Sequence, residues 1–487
     1  MEEHNYMGKT VNRLVRNSFF LISSRAIDFG VLIFTTPVIA RYLGLKAFGD
    51  YALVMAISIF VMPLVEFGSE SIICRDVSRN RDNPSEYINS AIILRGLLSA
   101  YVLVFVYVVI ELVFSNRELK LAIFVSTTSE LIVSFCTLFF AVIRAYERME
   151  YEMVCSFIHK MAFLTAIILV IKNDLGFVAL FYAKLFSSIV FLSLALFFVF
   201  KQIVAFKRGF SWRIIRYILR EAFPLAIITV LVTAFSKIDV FFLKYFKGSS
   251  DIALFEASNR LIIQLQFIPL SITISLFPFF SRISEDLMVS LKGYYKKGFK
   301  FLYIFSIFPA MFMIIGSQGI IALLYGKSFQ QAAVSLKLLA STFVLIALSH
   351  LMHNILIVIG KQRLIIVSVG LCFISNALLD YILIPIYGYI GASIATLVAQ
   401  FILFSATMFF MSVYVGRIDA SIILVKPSVS VLLTGVACFF IITNGLASLI
   451  AGFFLGLSLY ISILLMLGTF DENELGVIKE IIFRRKK

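Results

Sequence analysis

Apolar runs long enough to cross a bilayer recur from one end of this chain to the other, and the short gaps between them carry Lys and Arg. In hydrocarbon every backbone N–H and C=O must be bonded within the protein, so only helices and closed barrels can span. Barrel strands would read as roughly ten-residue segments of alternating polarity, and these runs do not alternate. A helical span needs about 20 apolar residues. Fourteen runs qualify: 17–40, 51–73, 89–114, 121–143, 154–171, 177–200, 222–243, 252–278, 301–317, 332–359, 364–385, 390–415, 427–443 and 447–468. The sequence therefore predicts an all-α polytopic membrane protein with about 14 transmembrane helices. Only 15% of its residues are charged, against about 25% in soluble domains.

The placement of the charges sets the orientation. With the amino terminus in the cytoplasm, the cytoplasmic gaps hold most of the 43 Lys and Arg residues, as the positive-inside rule requires. An even number of spans then puts both termini inside. Arg75, Arg79 and Arg81 follow span two, and Arg144 and Arg148 follow span four. Lys201, Lys207, Arg208, Arg213, Arg216 and Arg220 lie between spans six and seven. That linker, with Trp212, reads as an amphipathic segment lying on the inner membrane face. The basic tail 484–487 is a further inner anchor that favours anionic lipid.

The net charge of +15 is spread over these gaps without forming a basic domain, so nucleic acid is not an expected partner. Cys74, Cys136, Cys155, Cys372 and Cys438 are odd in number and lack metal-ligand spacing; they read as small core residues. The first apolar segment is too long for a cleaved signal peptide and lacks a small-x-small site, so it reads as a transmembrane helix. The outside gaps are short, the longest being 318–331, and leave no outside domain to hold an active site.

Arg16 opens a span that leaves through Arg41-Tyr42-Leu43-Gly44, and the chain re-enters after Phe48-Gly49-Asp50-Tyr51. Arg220 opens span seven, which leaves at Lys244-Tyr245-Phe246 and re-enters at Leu254-Phe255-Glu256-Ala257. Both spans start from the cytoplasm, so the repeat is parallel: a six-helix half over 1–210, a second over 211–425, and two further helices with a basic tail over 426–487. Two six-helix bundles related by a parallel pseudo-twofold are a transporter architecture, with its site between the halves.

A charge near the bilayer centre costs about 3 kcal/mol on insertion scales and marks a candidate functional site. Arg25 and Asp28 lie inside span one, three apart and so on one helix face. Arg25 is about 13 Å in from Arg16 at ~1.5 Å per residue, near the midplane of a core about 30 Å thick. Arg260 sits at a similar depth in span eight, on a stripe with Glu256 and Gln264. Lys237 continues Thr229 and Thr233 in span seven, flanked by Asp239, and Glu66 matches the depth of Arg25 in span two, where Pro63 can bend the helix. These stripes are expected to converge on one aqueous cavity. Cations beside carboxylates suit an anionic substrate and a coupling cation, and the planar fork of Arg suits a diphosphate. The alternative is a set of buried ion pairs that fix helix packing.

Other intramembrane polar residues are less pointed. Arg95, Lys160 and Lys337 lie near span ends and are expected to snorkel. Glu130 could be a proton or sodium site or a structural hydrogen-bonding group. His350 and His353 share a face and read as helix-packing residues, and Asp380, near the outside end of span eleven, reads as solvated.

With Ala40-Arg41-Tyr42-Leu43-Gly44, Phe48-Gly49, Tyr51-Ala52-Leu53 and Phe255-Glu256-Ala257-x-x-Arg260 in place, the chain resembles a Wzx-type polysaccharide or O-antigen flippase. These belong to the multidrug/oligosaccharidyl-lipid/polysaccharide exporter superfamily. The resemblance implies transfer of an undecaprenyl-diphosphate-linked oligosaccharide from the inner to the outer leaflet of a bacterial cytoplasmic membrane by alternating access. It implies no cofactor beyond a coupling H+ or Na+, and membrane lipids and other polysaccharide-assembly proteins as further partners. Basic residues on spans one and eight line the cavity in related flippases, and Arg25 and Arg260 fill those positions here.

The rivals are a lipid II flippase, a cation-coupled multidrug exporter of the same superfamily, and a membrane-embedded polymerase or glycosyltransferase. The exporter would want an aromatic, acidic cavity and generally twelve spans. The enzyme would want a large outside loop or an acidic motif at the membrane surface.

Overall fold

The computed structural model describes residues 2–79, 84–203, 209–267, 269, 287–442 and 445–470, without the side chains of 2–19, 21, 22, 25, 287–290 and 420–422. Among them α-helix dominates, in the order α1 Glu2–Glu66, α2 Ser69–Arg79, α3 Pro84–Val113, α4 Arg117–Ala145, α5 Met149–Lys172, α6 Phe177–Phe198 and α7 Trp212–Phe246. There follow α8 Ser249–Leu265, α9 Leu287–Tyr325, α10 Ala332–Val358, α11 Gln362–Tyr387, α12 Tyr389–Tyr414, α13 Ala420–Ile441 and α14 Leu446–Met466.

At ~1.5 Å per residue, the 65 residues of α1 exceed the bilayer core about threefold, so this helix has to turn. It does so at Gly44, where φ is 71° and ψ 178°, a backbone state open to glycine at little cost. Its second limb ends at Phe67 (φ 50°) and Gly68 (φ 67°), four residues beyond Pro63, whose carbonyl accepts from Phe67 N at 3.0 Å.

Twelve helical stretches among the described residues are long and apolar enough to cross a membrane. The first, Ala26–Arg79 with 54 residues, holds the larger part of expected span one and the whole of span two, on either side of Gly44. Span eight is α8, whose expected continuation at 268 and 270–278 lies outside the described residues. The chain is a multi-pass membrane protein. Two boundaries differ from expectation. Trp212 opens α7 itself, because nothing between it and Pro224 stops a helix, so Arg213, Arg216 and Arg220 ride on the first turns of a span. The expected outside gap 318–331 shrinks to 326–331, because α9 runs on to Tyr325 before a 3-10 turn at Lys327–Phe329.

The helices form two compact units. The first comprises 1–256 with 376–392; its core joins Ile73 and Val77 of α2, Leu94 of α3, Phe139 and Phe140 of α4, and Phe191 of α6. The second comprises 257–375 with 393–487. There Tyr460 of α14 donates to Ile304 O of α9 at 3.0 Å and stacks on Phe308, fastening the appended helices. The two most enclosed membrane stretches are α4 and α10, each 61% buried, and they occupy the same fourth place in the two expected halves. Both enclosed helices carry buried small polar side chains: Ser126, Ser129 and Ser134 on α4, and Ser335, Thr342 and Ser349 on α10. Small residues let helices approach in lipid.

Candidate functional site

Lys237 and Asp239 stand two residues apart on α7, which turns them about 200° from one another, toward different neighbours. Lys237 Nζ lies 3.2 Å from Glu256 Oε1 on α8. Asp239 Oδ1 accepts from Asn376 Nδ2 at 3.1 Å, and the same nitrogen donates to Asp380 Oδ2 at 3.0 Å. Asn376 and Asp380, four apart on α11, share a face, and both are 0% exposed. Asn376 Oδ1 and Asp380 Oδ1 are buried without a hydrogen-bond partner.

Asp380 is thus not the solvated residue expected from its place near a span end. The reason is its neighbours: the face of α11 that carries Asn376 and Asp380 lies against Asp239 of α7. Gly388 (φ 58°) brings α12 straight back, and a Cβ there would sit 2.3 Å from Asp251 Oδ1, which accepts from Tyr389 N at 3.0 Å. A Cβ at Gly391 would sit 2.5 Å from Leu383 O. These contacts hold the α11–α12 turn tight, while Tyr381, Ile382, Ile386 and Tyr387 on the outer end of α11 stay exposed. Sequence reasoning missed Asn376 altogether; the signal was a polar pair at i and i+4 within an apolar run.

Arg260 lies one turn beyond Glu256 on α8 and is half-buried. Arg25 lies on the first limb of α1, and its side chain is outside the described residues. Asp28, three residues on, pairs with Lys160 Nζ of α5 at 3.5 Å. Lys160 was expected to snorkel; it instead compensates a carboxylate on a neighbouring helix. Lys337 is exposed, as expected of a residue at a span end.

Glu66 closes α1 and enters a buried network. Thr137 Oγ1 of α4 donates to Glu66 Oε1 at 2.6 Å and accepts from Arg95 Nη1 of α3 at 2.9 Å. Arg95 Nη2 donates to Ser69 Oγ of α2 at 3.3 Å, and Ser69 Oγ donates to Glu66 O at 2.6 Å. Arg95 is 1% exposed and so does not snorkel; the helices around α3 enclose it at a depth that position within the span does not reveal. Nearby, Lys184 of α6 meets Glu130 at 2.7 Å and Ser126 at 3.1 Å. Arg144 grips Glu152 with two nitrogens and also bonds Glu70. His353 faces Thr407 Oγ1 at 3.4 Å, a helix-packing contact.

Of the charges singled out from the sequence, Lys237 and Glu256, and Asp28 and Lys160, stand as opposite pairs, and Glu66 reaches Arg95 through Thr137.

Residues 14–284, more than half of the chain, match the family described as "Polysaccharide biosynthesis protein". The chain belongs to this family. Its sequence is 26% identical over 408 residues to "Probable flippase AglR" of Haloferax volcanii, covering 78% of this chain and 81% of that protein. It is 23% identical over 417 residues to "Putative O-antigen transporter" of Escherichia coli (strain K12), covering 82% and 96%. Its fold resembles that of "Lipid II flippase MurJ, inward closed conformation", with a TM-score of 0.76 at 16% identity over 92% of this chain and 98% of the other. A multidrug transporter of the MATE family in an inward-facing conformation superposes with a TM-score of 0.62 at 16% identity, over 82% and 95%.

In this member of the polysaccharide biosynthesis family, the residues that carry the sequence resemblance turn out to be joints. Tyr42 donates to Asp174 Oδ1 at 2.8 Å and accepts from Gly176 N at 3.0 Å, so it closes the turn between α5 and α6. A Cβ at Gly49 would fall 1.7 Å from Ser249 O. Only glycine admits that approach, and Asp50 beside it accepts from Ser249 Oγ at 2.6 Å and Lys244 Nζ at 3.2 Å. Tyr51 packs on Phe181 with ring centroids 5.3 Å apart.

Proposed function

We propose that this protein transfers a polyprenyl-diphosphate-linked oligosaccharide from the inner to the outer leaflet of a cytoplasmic membrane by alternating access, both termini lying in the cytoplasm. The reading rests first on the family, and on relatives whose names speak of flippase and O-antigen transport. The observation that carries it in the structure is the division of labour on α7: a cation at 237 paired to a carboxylate, and a carboxylate at 239 within an oxygen-rich cluster two residues away. Conformational change on one helix can then answer to both an anion and a cation.

Arg25 and Arg260 are assigned the diphosphate, because a guanidinium binds two oxygens at once. Lys237 joins them once the diphosphate draws it from Glu256. The coupling cation, Na+ or H+, is assigned to Asp239 and Asp380. Intramembrane carboxylates mark such pathways, and the two unpartnered oxygens beside them fit the demand of a hard cation for oxygen. In the described state the Asn376 amide donates to both carboxylates; turning that amide replaces the donor with a third oxygen. Asp28 and Glu66 hold their cationic neighbours in register while the site is empty of anion.

The test is transfer of a labelled polyprenyl-diphosphate oligosaccharide in sealed vesicles, with and without Na+ and pH gradients. Movement that depends on one gradient supports the proposal. Full movement of a cationic drug with none of the glycolipid sinks it in favour of multidrug export, and movement of lipid II alone reassigns the substrate.

A further inference from the structure

We propose that the second unit binds one anionic phospholipid, with its headgroup between Lys292 and Arg417 and an acyl chain in the cavity behind them. The cavity measures about 420 Å³. One wall is a single face of α12, where Phe401, Phe404, Met408 and Phe409, with Ser405 and Ser412, recur at helical spacing. Opposite stands Tyr295 of α9, whose hydroxyl is turned onto the thioethers of Met408 at 3.2 Å and Met352 at 3.5 Å, which leaves its side of the chamber apolar.

The mouth has the opposite character. Gly416, Arg417 and Ile418 line it. A Cβ at Gly416 would lie 3.4 Å from Lys292 Cε and 3.5 Å from Lys292 Nζ, so the lysine ends at the same opening. Lys292 and Arg417 are both exposed, and neither is engaged in an ion pair among the described residues. Lys296 follows one turn along α9, and Asp419 is the one carboxylate of the 415–419 segment.

Each half of this arrangement excludes a simpler occupant. Free phosphate would leave the aromatic chamber unfilled, and a neutral lipid would leave the two cations unanswered. By the orientation read from the sequence, the mouth opens at the cytoplasmic face, where anionic lipids are presented and where basic pockets between helices hold their headgroups. The site lies on α9 and α12, within the second unit, and its occupancy does not depend on which substrate is moved.

The experiment is native mass spectrometry of the full chain released from nanodiscs with equal phosphatidylglycerol and phosphatidylcholine of matched acyl chains. One phosphatidylglycerol should be retained in preference. Each basic residue near a membrane surface is worth about fivefold, so Lys292→Ala with Arg417→Ala should lower retention roughly 25-fold. Ser412→Trp, which fills the chamber and keeps the charges, should abolish it. Unaltered helical content and melting in detergent show that the variants are folded. Equal retention of the two lipids, or undiminished retention in either variant, overturns the proposal. Displacement of phosphatidylglycerol by equimolar undecaprenyl phosphate overturns it too, by assigning the cavity to an isoprenoid chain.

Discussion

Asp239 of α7 and Asp380 of α11 share one amide: Asn376 Nδ2 donates to Asp239 at 3.1 Å and to Asp380 at 3.0 Å. Both carboxylates are buried, and the proposed coupling assigns the cation to them. Asp239→Asn and Asp380→Asn are each expected to abolish the dependence of transport on the ion gradient while leaving the amount of protein in the membrane unchanged. In purified protein, thermal stabilisation by Na+ or by a drop in pH should disappear in the same variants. Gradient dependence that survives both substitutions removes the coupling role from this cluster.

The Arg25 and Arg260 assignment separates charge from geometry. Arg→Lys keeps the charge and loses the fork, so either lysine variant should retain part of the export, and Arg→Ala should stop it with protein level intact. Surface glycan measured against membrane abundance decides. If Arg260→Ala loses the protein itself from the membrane, the arginine serves packing.

Arg95 is expected to behave as a structural residue. Removing one member of a buried charged network costs about 3–5 kcal/mol, because Glu66 keeps its place without a compensating cation. Arg95→Ala should therefore deplete the protein from the membrane, and Arg95→Ala with Glu66→Gln should recover much of it. Thr137→Val, which cuts the hydrogen-bonded link and keeps the volume, should cost about 1–3 kcal/mol. Thermal melting of the purified variants gives the ranking; a stable Arg95→Ala protein contradicts it.

Gly49→Ala pits a methyl group against a backbone carbonyl that cannot yield, at 1.7 Å. Overpacking of this kind costs about 1–3 kcal/mol or more. Gly30→Ala, with nothing within 4 Å of the added carbon, is the control and should be tolerated. Equal abundance of the two variants would show that α1 and α8 do not meet here.

Topology has its own test. Reporters at residue 212 and at the carboxyl terminus should read cytoplasmic, and one at Gln330 should read outside. An outside carboxyl terminus would mean that the span count is wrong by one.

Much of this protein was legible in the sequence, because hydrocarbon imposes a one-dimensional rule. A segment either satisfies its backbone internally over about 20 apolar residues or it cannot cross. Span number, helical class and the Gly44 turn follow from that rule, and the resemblance carried by Arg41–Tyr51 led to the right family. The partners of the intramembrane charges did not follow. Depth along a helix says how far a residue lies from water on its own span, and nothing about what packs beside it. Only tertiary packing decided that Asp28 meets Lys160, that Arg95 is enclosed with Thr137 and Glu66, and that Asp380 is buried beside Asn376 and Asp239. In a low-dielectric interior Asp28 and Arg95 are tolerated by virtue of neighbours supplied from other helices, and those neighbours are fixed by the fold.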